Sequence, residues 1–219
     1  MSAPTRPRKQ RNGSSERPTT TDERILQAAT AEFAEWGYAG ARIDRISKRA
    51  GTNDRSLYYY FSSKDELFGA VLDRAYRDLA EAEVRLDIKA LTPTRGIEAI
   101  VSFIWDYYET HPEFLSLVNS ENLCEGVHLR RSKVATHISR TQLDIIEDLL
   151  ARGIKTGEFR KGVDPLHVFL TIAALSYFYQ SNRFTLAEYL GVDLMQPGFR
   201  DGWVQHMKHA VIQSIRRTA

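Results

Sequence analysis

Apolar residues recur at helical spacing through most of the chain, and capping residues divide this pattern into segments. Thr20 followed by Glu23 forms a capping box, and the apolar positions behind it return every three or four residues as far as Gly37. Two short segments follow, over about residues 43–50 and 54–60, and a glycine between them permits a sharp turn. The pattern therefore predicts one helix and then two short helices arranged as a helix-turn-helix.

Comparable start signals predict further helices in the rest of the chain. Ser63 with Glu66 repeats the capping-box spacing, and Pro stands at the first helical position after Thr92, His111 and Asp164. The predicted segments cover about residues 64–86, 93–110, 112–124, 127–156 and 165–182, then a short piece near 186–190 and a last helix from about 198 to 217. No segment sustains the alternation of a β-strand, so the predicted fold class is all-α.

The charge distribution adds a locally basic region to this picture. The net charge of the whole chain is only +2, but residues 42–64 hold six Lys and Arg side chains against two Asp. Residues 1–19 hold five basic side chains against one Glu and almost no large apolar residue. We expect residues 1–19 to be a disordered arm that either only aids solubility or adds DNA contacts. A locally basic surface on a nearly neutral protein is typical of DNA binding.

A DNA-reading helix carries small polar residues at its N-terminal end, because that end faces the base edges. Residues 53–56 fill that place, and the guanidinium of Arg55 matches the two acceptors of guanine. Asp54 either accepts from cytosine or orients Arg55, and one of the three tyrosines that follow is expected to pack in the core. The flanking basic residues fit phosphate contacts, with an ordinary solvated face as the alternative. The predicted DNA-binding residues are Arg42, Arg45, Asn53, Asp54, Arg55, Ser56, Tyr58, Tyr59, Tyr60 and Lys64.

The stretch from Arg24 through Leu67 resembles the DNA-binding domain of the TetR family of bacterial transcription regulators. The matching positions are Ile25-Leu26, Ala28-Ala29, Phe33, Gly37-Tyr38, Ile43, Ile46, Ala50-Gly51, Leu57-Tyr58, Tyr60-Phe61, Lys64 and Leu67. Arg42 and Thr52 depart from the family pattern, in which a small hydroxyl residue and an aliphatic residue are common at these positions. Neither departure changes the expected fold.

The resemblance implies a DNA-binding domain over residues 20–80 and a helical regulatory and dimerisation domain over residues 81–219. It also implies a homodimeric repressor that binds a palindromic double-stranded DNA operator and is released by a small-molecule effector. In such proteins the last two helices pair with those of a second subunit, and the nearly all-apolar segment 165–182 is compatible with that pairing. The predicted interface residues are Ile172, Leu175, Phe178, Trp203, Met207 and Val211.

Aromatic and polar residues of the second half are candidates for an effector pocket between helices. Aromatic residues at helical spacing are more often core, so core packing is the alternative for each of them. The segment 119–122 is the stronger candidate, because its amide side chains need partners if they are buried. The predicted effector-binding residues are Phe103, Tyr107, Tyr108, Phe114, Asn119, Asn122, His128, His137, Phe169 and Tyr177.

Other classes of function find little support in the sequence. His206 and His209 lack a third ligand at a convincing spacing, and Cys124 lacks a resolving partner, so we expect no metal site and no redox role. Without a phosphate-binding glycine loop or a nucleophile elbow, we expect neither an enzyme nor a cofactor. A DNA-binding organiser with a closed body is the alternative to a regulator. No apolar run is long enough to span a bilayer and no signal peptide is evident, so we expect a cytoplasmic protein without a membrane partner.

Overall fold

The computed structural model describes residues 20–217, which form nine α-helices and no β-strand. The helices are α1 (Thr21–Gly40), α2 (Ile43–Arg49), α3 (Asp54–Tyr60), α4 (Lys64–Val84), α5 (Pro93–Thr110), α6 (Pro112–Leu123), α7 (Lys133–Thr156), α8 (Pro165–Leu190) and α9 (Pro197–Ile215). The all-α prediction is confirmed, while the predicted arm over residues 1–19 lies outside the described residues. Within the described part of the chain, every helix is too short or too polar to cross a lipid bilayer.

The first four helices surround a small apolar core, and we call residues 20–72 the head. Phe33 of α1, Ile46 of α2 and Leu57 of α3 are fully buried there and fix how the three helices cross. α1 bends at Gly37, whose φ of +66° is the left-handed conformation that favours glycine. The sequence placed the end of the first helix at Gly37, whereas the structure resumes the helical course beyond the bend as far as Gly40.

Capping side chains begin α1 and α4 as the sequence predicts, although one hydrogen bond of the second capping box has a different donor. The Glu23 carboxylate accepts from the Thr20 N–H at 2.9 Å, which confirms the first capping box. The Ser63 hydroxyl accepts from the Glu66 N–H at 3.1 Å. The Glu66 carboxylate, however, accepts from the N–H of Ser62 at 2.9 Å and not from that of the capping residue. In the second capping box the Glu66 carboxylate therefore bonds the residue before the capping residue, in the loop that precedes α4.

The remaining helices form a larger core, and we call residues 73–217 the body. α5 lies at its centre and packs against α7, α8 and α9, with Trp105 and Leu149 almost fully buried between them. α6 belongs to both cores, because its Leu117 is fully buried among head residues. On the same side of α6, the Ser120 hydroxyl accepts from the Tyr38 N–H at 2.7 Å. The head is therefore built partly from a helix of the body.

Two helix boundaries in the body differ from the sequence prediction. α8 continues unbroken to Leu190, because the polar residues around position 182 include neither Gly nor Pro and the helix can run through them. The segment predicted over residues 127–156 becomes α-helical only at Lys133, where the Ser132 hydroxyl caps the new helix. Apolar periodicity marks neither boundary: the Ser132 cap begins α7, and Gly191 in the left-handed conformation ends α8.

Candidate DNA-binding surface, effector cavity and interface

α3 exposes its polar N-terminal end and buries its opposite side in the head. Leu57 is fully buried, which sets the rotation of the helix about its axis. Asn53 caps the helix, since its Oδ1 accepts from the Ser56 N–H at 2.9 Å. The Arg55 side chain is exposed beside this cap. The arrangement leaves the Arg55 guanidinium available for the base contact that the sequence predicts.

Asp54 joins α2 to α3. The hydroxyl of Ser47, a residue only 2% exposed on α2, donates to the Asp54 carboxylate. A hydrogen bond between the two helices of the motif helps to hold their crossing angle. The Asp54 carboxylate bonds Ser47 and not Arg55, so the predicted orientation of Arg55 by Asp54 finds no contact here, and the contact with cytosine stays a prediction.

All three tyrosines of α3 are exposed, so the prediction that one of them packs in the core is wrong. Tyr58, Tyr59 and Tyr60 are 48%, 83% and 42% exposed, and the last two rings meet edge to face at 5.2 Å. Leu57 and Phe61, which bracket them, already fill the space beneath the helix. The phenol groups of the C-terminal half of α3 therefore lie at the surface of the head, where hydroxyls can donate to phosphate oxygens.

Arg45 is held by the head itself. Its Nε donates to Glu32, a residue only 1% exposed, at 2.5 Å, and its guanidinium lies 5.0 Å from the centre of the Trp36 ring. The backbone N–H of Arg42 donates to the same carboxylate at 3.1 Å. Arg45 therefore fastens α2 to α1, whereas the exposed side chain of Arg42, paired with Asp44 at 3.0 Å, lies where a phosphate contact is possible.

The ammonium group of Lys64 also makes its contacts within the head. Its Nζ donates to the Ala41 carbonyl at 2.7 Å and lies 4.8 Å from the centre of the Tyr38 ring. Burial lowers the pKa of Lys64 from its ordinary value. These contacts fasten the start of α4 to the connection between α1 and α2. Lys64 therefore positions the helix-turn-helix, and a phosphate contact from it stays a prediction.

A cavity of about 410 Å³ lies in the body between α4, α5, α6, α7 and α8. Its walls are aliphatic and aromatic with a few polar groups, and no charged side chain of the described residues lines it. The lining residues are Tyr76, Leu79, Ile104, Tyr108, Phe114, Val118, Asn122, Gln142, Phe169, Leu170, Ala173, Ala174 and Tyr177. A cavity of this size and lining fits a small, largely apolar organic molecule.

Half of the predicted effector residues line this cavity. They are Tyr108, Phe114, Asn122, Phe169 and Tyr177. Asn119 lies directly behind the wall, because its Oδ1 accepts from the Tyr177 hydroxyl and its Nδ2 donates to Ser181 at 3.0 Å. Tyr76 and Gln142 were missed, since periodicity marks the apolar side of a helix but not which helices enclose a space.

The other four predicted effector residues lie elsewhere. Phe103 packs on Tyr107 with ring centres 5.9 Å apart, and Tyr107 stacks on His111 at 4.1 Å, so the core alternative holds for both aromatic residues. His137 is exposed on α7. His128 is buried where the head meets the body. Neither histidine lines the cavity, which corrects the prediction for both.

Two helices connect the cavity with the head. On α6, Phe114 and Val118 line the cavity, while Leu117 is buried in the head core. On α4, Tyr76 lines the cavity, and Lys64 at the other end of the same helix holds the connection before the helix-turn-helix. α4 and α6 therefore each contact both the cavity wall and the head.

Three potential metal ligands meet at the junction of head and body. The ligand atoms of Glu121, Cys124 and His128 all lie within 4.8 Å of one another. The expectation of no metal site considered His206 and His209 and missed this group, whose signal is the spacing Glu-x2-Cys-x3-His. Burial, assisted by the Glu121 carboxylate, raises the pKa of the Cys124 thiol, which disfavours the thiolate that redox chemistry needs.

α8 and α9 carry an exposed apolar surface on the outside of the body, which we call the α8–α9 face. Phe178 of α8 is 57% exposed and Phe199 of α9 is 45% exposed. The face is formed by Leu166, Leu170, Ala174, Phe178, Phe199 and Gly202. Leu170 and Ala174 also line the cavity, which therefore opens toward this face. The four α8 residues are spaced four apart and so lie along one side of the helix. A contiguous apolar surface of this kind marks a site of protein association.

The α8–α9 face contains only part of the predicted interface. Ile172, Met207 and Val211 are at most 1% exposed and pack inside the subunit's own core, so the interface prediction is wrong for these three. Their side chains are therefore inaccessible to a second copy of the chain. Of the remaining predicted residues, Phe178 lies on the face, and Leu175 and Trp203 are half-buried near it.

Comparison with known proteins places this architecture in a family. A model described as bacterial regulatory proteins, tetR family, matches residues 25–71, and one described as tetracyclin repressor-like, C-terminal domain, matches residues 93–211. The chain is 38% identical over 197 residues to the HTH-type transcriptional repressor NicS of Pseudomonas putida, covering 90% of this chain and 93% of that protein.

Solved structures show the same architecture. A transcriptional regulator of Streptomyces coelicolor, SCO4942, superimposes with a TM-score of 0.68 at 25% identity, over 91% of this chain and 100% of that one. FadR of Bacillus subtilis, solved in complex with stearoyl-CoA, superimposes with a TM-score of 0.64 over 88% of this chain and 98% of that one; at 20% identity this likeness shows the fold alone. The chain therefore belongs to the TetR family of bacterial DNA-binding transcriptional regulators.

Proposed function

We propose that this regulator is a homodimeric repressor that leaves a palindromic operator when a small, largely apolar effector enters the body cavity. The observation that carries the proposal is the position of α6 between cavity and head. An effector that displaces Phe114 and Val118 also shifts Leu117, which is buried in the head core. Packed cores transmit such shifts because they are dense and have little free space. The driving energy is the higher affinity of the effector for the released state.

The α8–α9 face supports dimerisation. A two-fold dimer that binds successive major grooves needs its two copies of α3 on one side of the assembly, about 34 Å apart. The relative NicS is named a transcriptional repressor, which supports repression as the direction of control. FadR was solved with stearoyl-CoA, which supports a body of this fold as a place where a small molecule binds.

A DNA-binding organiser without a small-molecule switch is the alternative. Such a protein needs no internal space, so its body is expected to be closed and fully packed. The cavity of about 410 Å³, lined by aromatic rings and uncharged polar groups, favours the ligand-responsive regulator.

Replacing Arg55 tests the proposed base contact. We expect Arg55→Ala to weaken binding by about 1–3 kcal/mol on an operator selected from random DNA by the wild-type protein, and to relax the preference at one base pair per half-site. The measurement is fluorescence anisotropy with the operator and its single-base variants. Arg140→Ala, an exposed arginine on α7, is the control and leaves affinity unchanged. An equal loss on every DNA sequence instead assigns Arg55 to a phosphate.

Filling the cavity tests the proposed effector site. A thermal-shift screen of small metabolites identifies a ligand, and at one hundred times its Kd such a ligand stabilises the wild-type protein by about 2.7 kcal/mol. We expect Ala173→Trp, which fills the cavity from α8, to abolish this shift and the release from DNA while leaving operator binding intact. Ala151→Trp, on the exposed side of α7, keeps both responses. An unchanged ligand response in Ala173→Trp removes the cavity from the proposal.

A further inference from the structure

The end of α6 and the turn that follows it, residues 121–128, bring a carboxylate, a thiol and an imidazole together at the junction of head and body. The left-handed conformation of Gly126, at φ +70°, folds the chain back so that His128 meets Glu121. Glu121 and His128 are 2% and 7% exposed, whereas Cys124 is partly exposed and leaves an approach from solvent. The three ligand atoms lie within 4.8 Å of one another.

The backbone holds Glu121 in the orientation of a ligand. Its Oε1 accepts from the N–H groups of His128 and Leu129, at 2.8 Å and 2.9 Å, so the carboxylate cannot turn freely. Its Oε2 lies 2.7 Å from Nδ1 of His128. Hydrogen bonds to the outer oxygen are the means by which proteins fix metal-binding carboxylates. A cation can therefore take the place of the proton that the Glu121 Oε2 and the imidazole share.

We propose that Glu121, Cys124 and His128 bind one Zn²⁺ per chain, with water as the fourth ligand. Thiolate and imidazole favour zinc over magnesium and calcium, which prefer oxygen ligands. Zinc–ligand bonds are about 2.0–2.3 Å long, so the most distant pair of ligand atoms closes by about 1 Å. The Glu121 Oε2 and His128 Nδ1 atoms, now 2.7 Å apart, separate to about 3.3 Å, and small side-chain rotations supply both changes. The thiol releases its proton to solvent as the zinc–sulfur bond forms. The proton in the Glu121–His128 hydrogen bond also leaves, so that the imidazole binds through Nδ1 as the neutral ring protonated at Nε2.

Zinc at this place fastens the head to the body. The ring of His128 packs against Tyr38 and Phe68 of the head, with ring centres 4.9 Å from each. Ser120, the residue before the first ligand, accepts from the Tyr38 N–H. An ion that orders residues 121–128 therefore holds the orientation of the DNA-binding surface. None of the three ligands lines the effector cavity, so zinc binding can be tested separately from the proposed effector response.

Cobalt titration of the full-length protein, stripped of metal with a chelator, tests the site. We expect one Co²⁺ per chain, a thiolate-to-cobalt charge-transfer band in the near ultraviolet, and displacement of the cobalt by Zn²⁺. Cys124→Ser removes the band, and Glu121→Gln weakens binding by roughly tenfold or more. Zinc raises the melting temperature of the wild-type protein but not that of Cys124→Ser, since only a ligand that binds the folded state stabilises it.

A double variant, His206→Gln with His209→Gln, removes the other histidine pair and serves as the control that keeps the band. The melting temperature of each variant in chelator shows that it is folded. A wild-type titration without the charge-transfer band means that Glu121 and His128 are only a hydrogen-bonded pair that fastens the turn, and it overturns the proposal. Zinc binding that survives in Cys124→Ser and disappears in the histidine variant moves the site to α9 and also overturns it.

Discussion

Phe178→Glu is expected to convert the protein from a dimer to a monomer and to abolish tight operator binding. Phe178 lies in the middle of the α8–α9 face with 57% of its side chain exposed. Two-fold symmetry places the substitution twice in the interface. Burying each carboxylate without a partner costs at least about 2 kcal/mol, so dimerisation weakens by about 4 kcal/mol, or about a thousandfold. A monomer engages only one half-site, and most of the operator affinity is lost with the second reading helix.

Sedimentation velocity at micromolar concentration measures the first effect, and anisotropy with the selected operator measures the second. Val84→Glu is the matched control, because Val84 is 82% exposed at the end of α4, away from the α8–α9 face. The control is expected to stay dimeric and to bind DNA as the wild-type protein does. If Phe178→Glu sediments as a dimer with unchanged operator affinity, the two subunits pair through another surface.

Gly153→Ala is expected to lower the free energy of unfolding by about 3 kcal/mol, because the site has no room for a methyl group. A Cβ at Gly153 stands 2.0 Å from Cδ2 and 2.5 Å from Cε2 of the Phe159 ring. That ring is 2% exposed and cannot swing into solvent without leaving the core. The Gly153 carbonyl also accepts from the N–H groups of Glu158 and Phe159, which keeps the two segments together.

Gly69→Ala is the same substitution at a position with space around it, and it is expected to raise the free energy of unfolding. Apart from its chain neighbours and the nearby backbone of the helix itself, no atom lies within 4 Å of a Cβ at this position in the second turn of α4. Alanine is the better helix former, so the variant should gain about 0.5–1 kcal/mol. Urea denaturation of both variants beside the wild-type protein measures the pair. A Gly153→Ala protein as stable as the wild type implies that Phe159 has another place to pack.

The sequence predicted the helix-turn-helix well because its signals are local. The Asn53 side chain caps α3 by accepting from the N–H of the third residue of that helix. The spacing of apolar residues within the same helix predicts that Leu57 is buried, as it is. The same reasoning failed for the tyrosines, since it assumed that the core beneath α3 had space for one of them. Leu57 and Phe61 already occupy that space, which depends on how closely α1 and α4 approach.

The effector cavity was only half predictable for a related reason. Phe169 and Tyr177 lie on the apolar helix α8, and their helical spacing marked them as candidates for the cavity wall. Tyr76 lies on α4 and Gln142 lies on α7. The sequence of a single helix does not show which of its sides faces a cavity that other helices enclose. Cavities are places where helices fail to touch, so they depend on the packing of whole elements.

The sequence by itself determined the all-α class, the capped starts of the helices and the family of DNA-binding head, because caps, turns and apolar periodicity act over a few residues. The tertiary structure alone decided that Met207 and Val211 face the subunit's own core, that Phe178 faces outward, and that Glu121 and His128 meet between head and body. An apolar side chain carries the same signal whether its own chain or a second copy covers it. Only the packed structure shows which surface is left for a partner, a ligand or an ion.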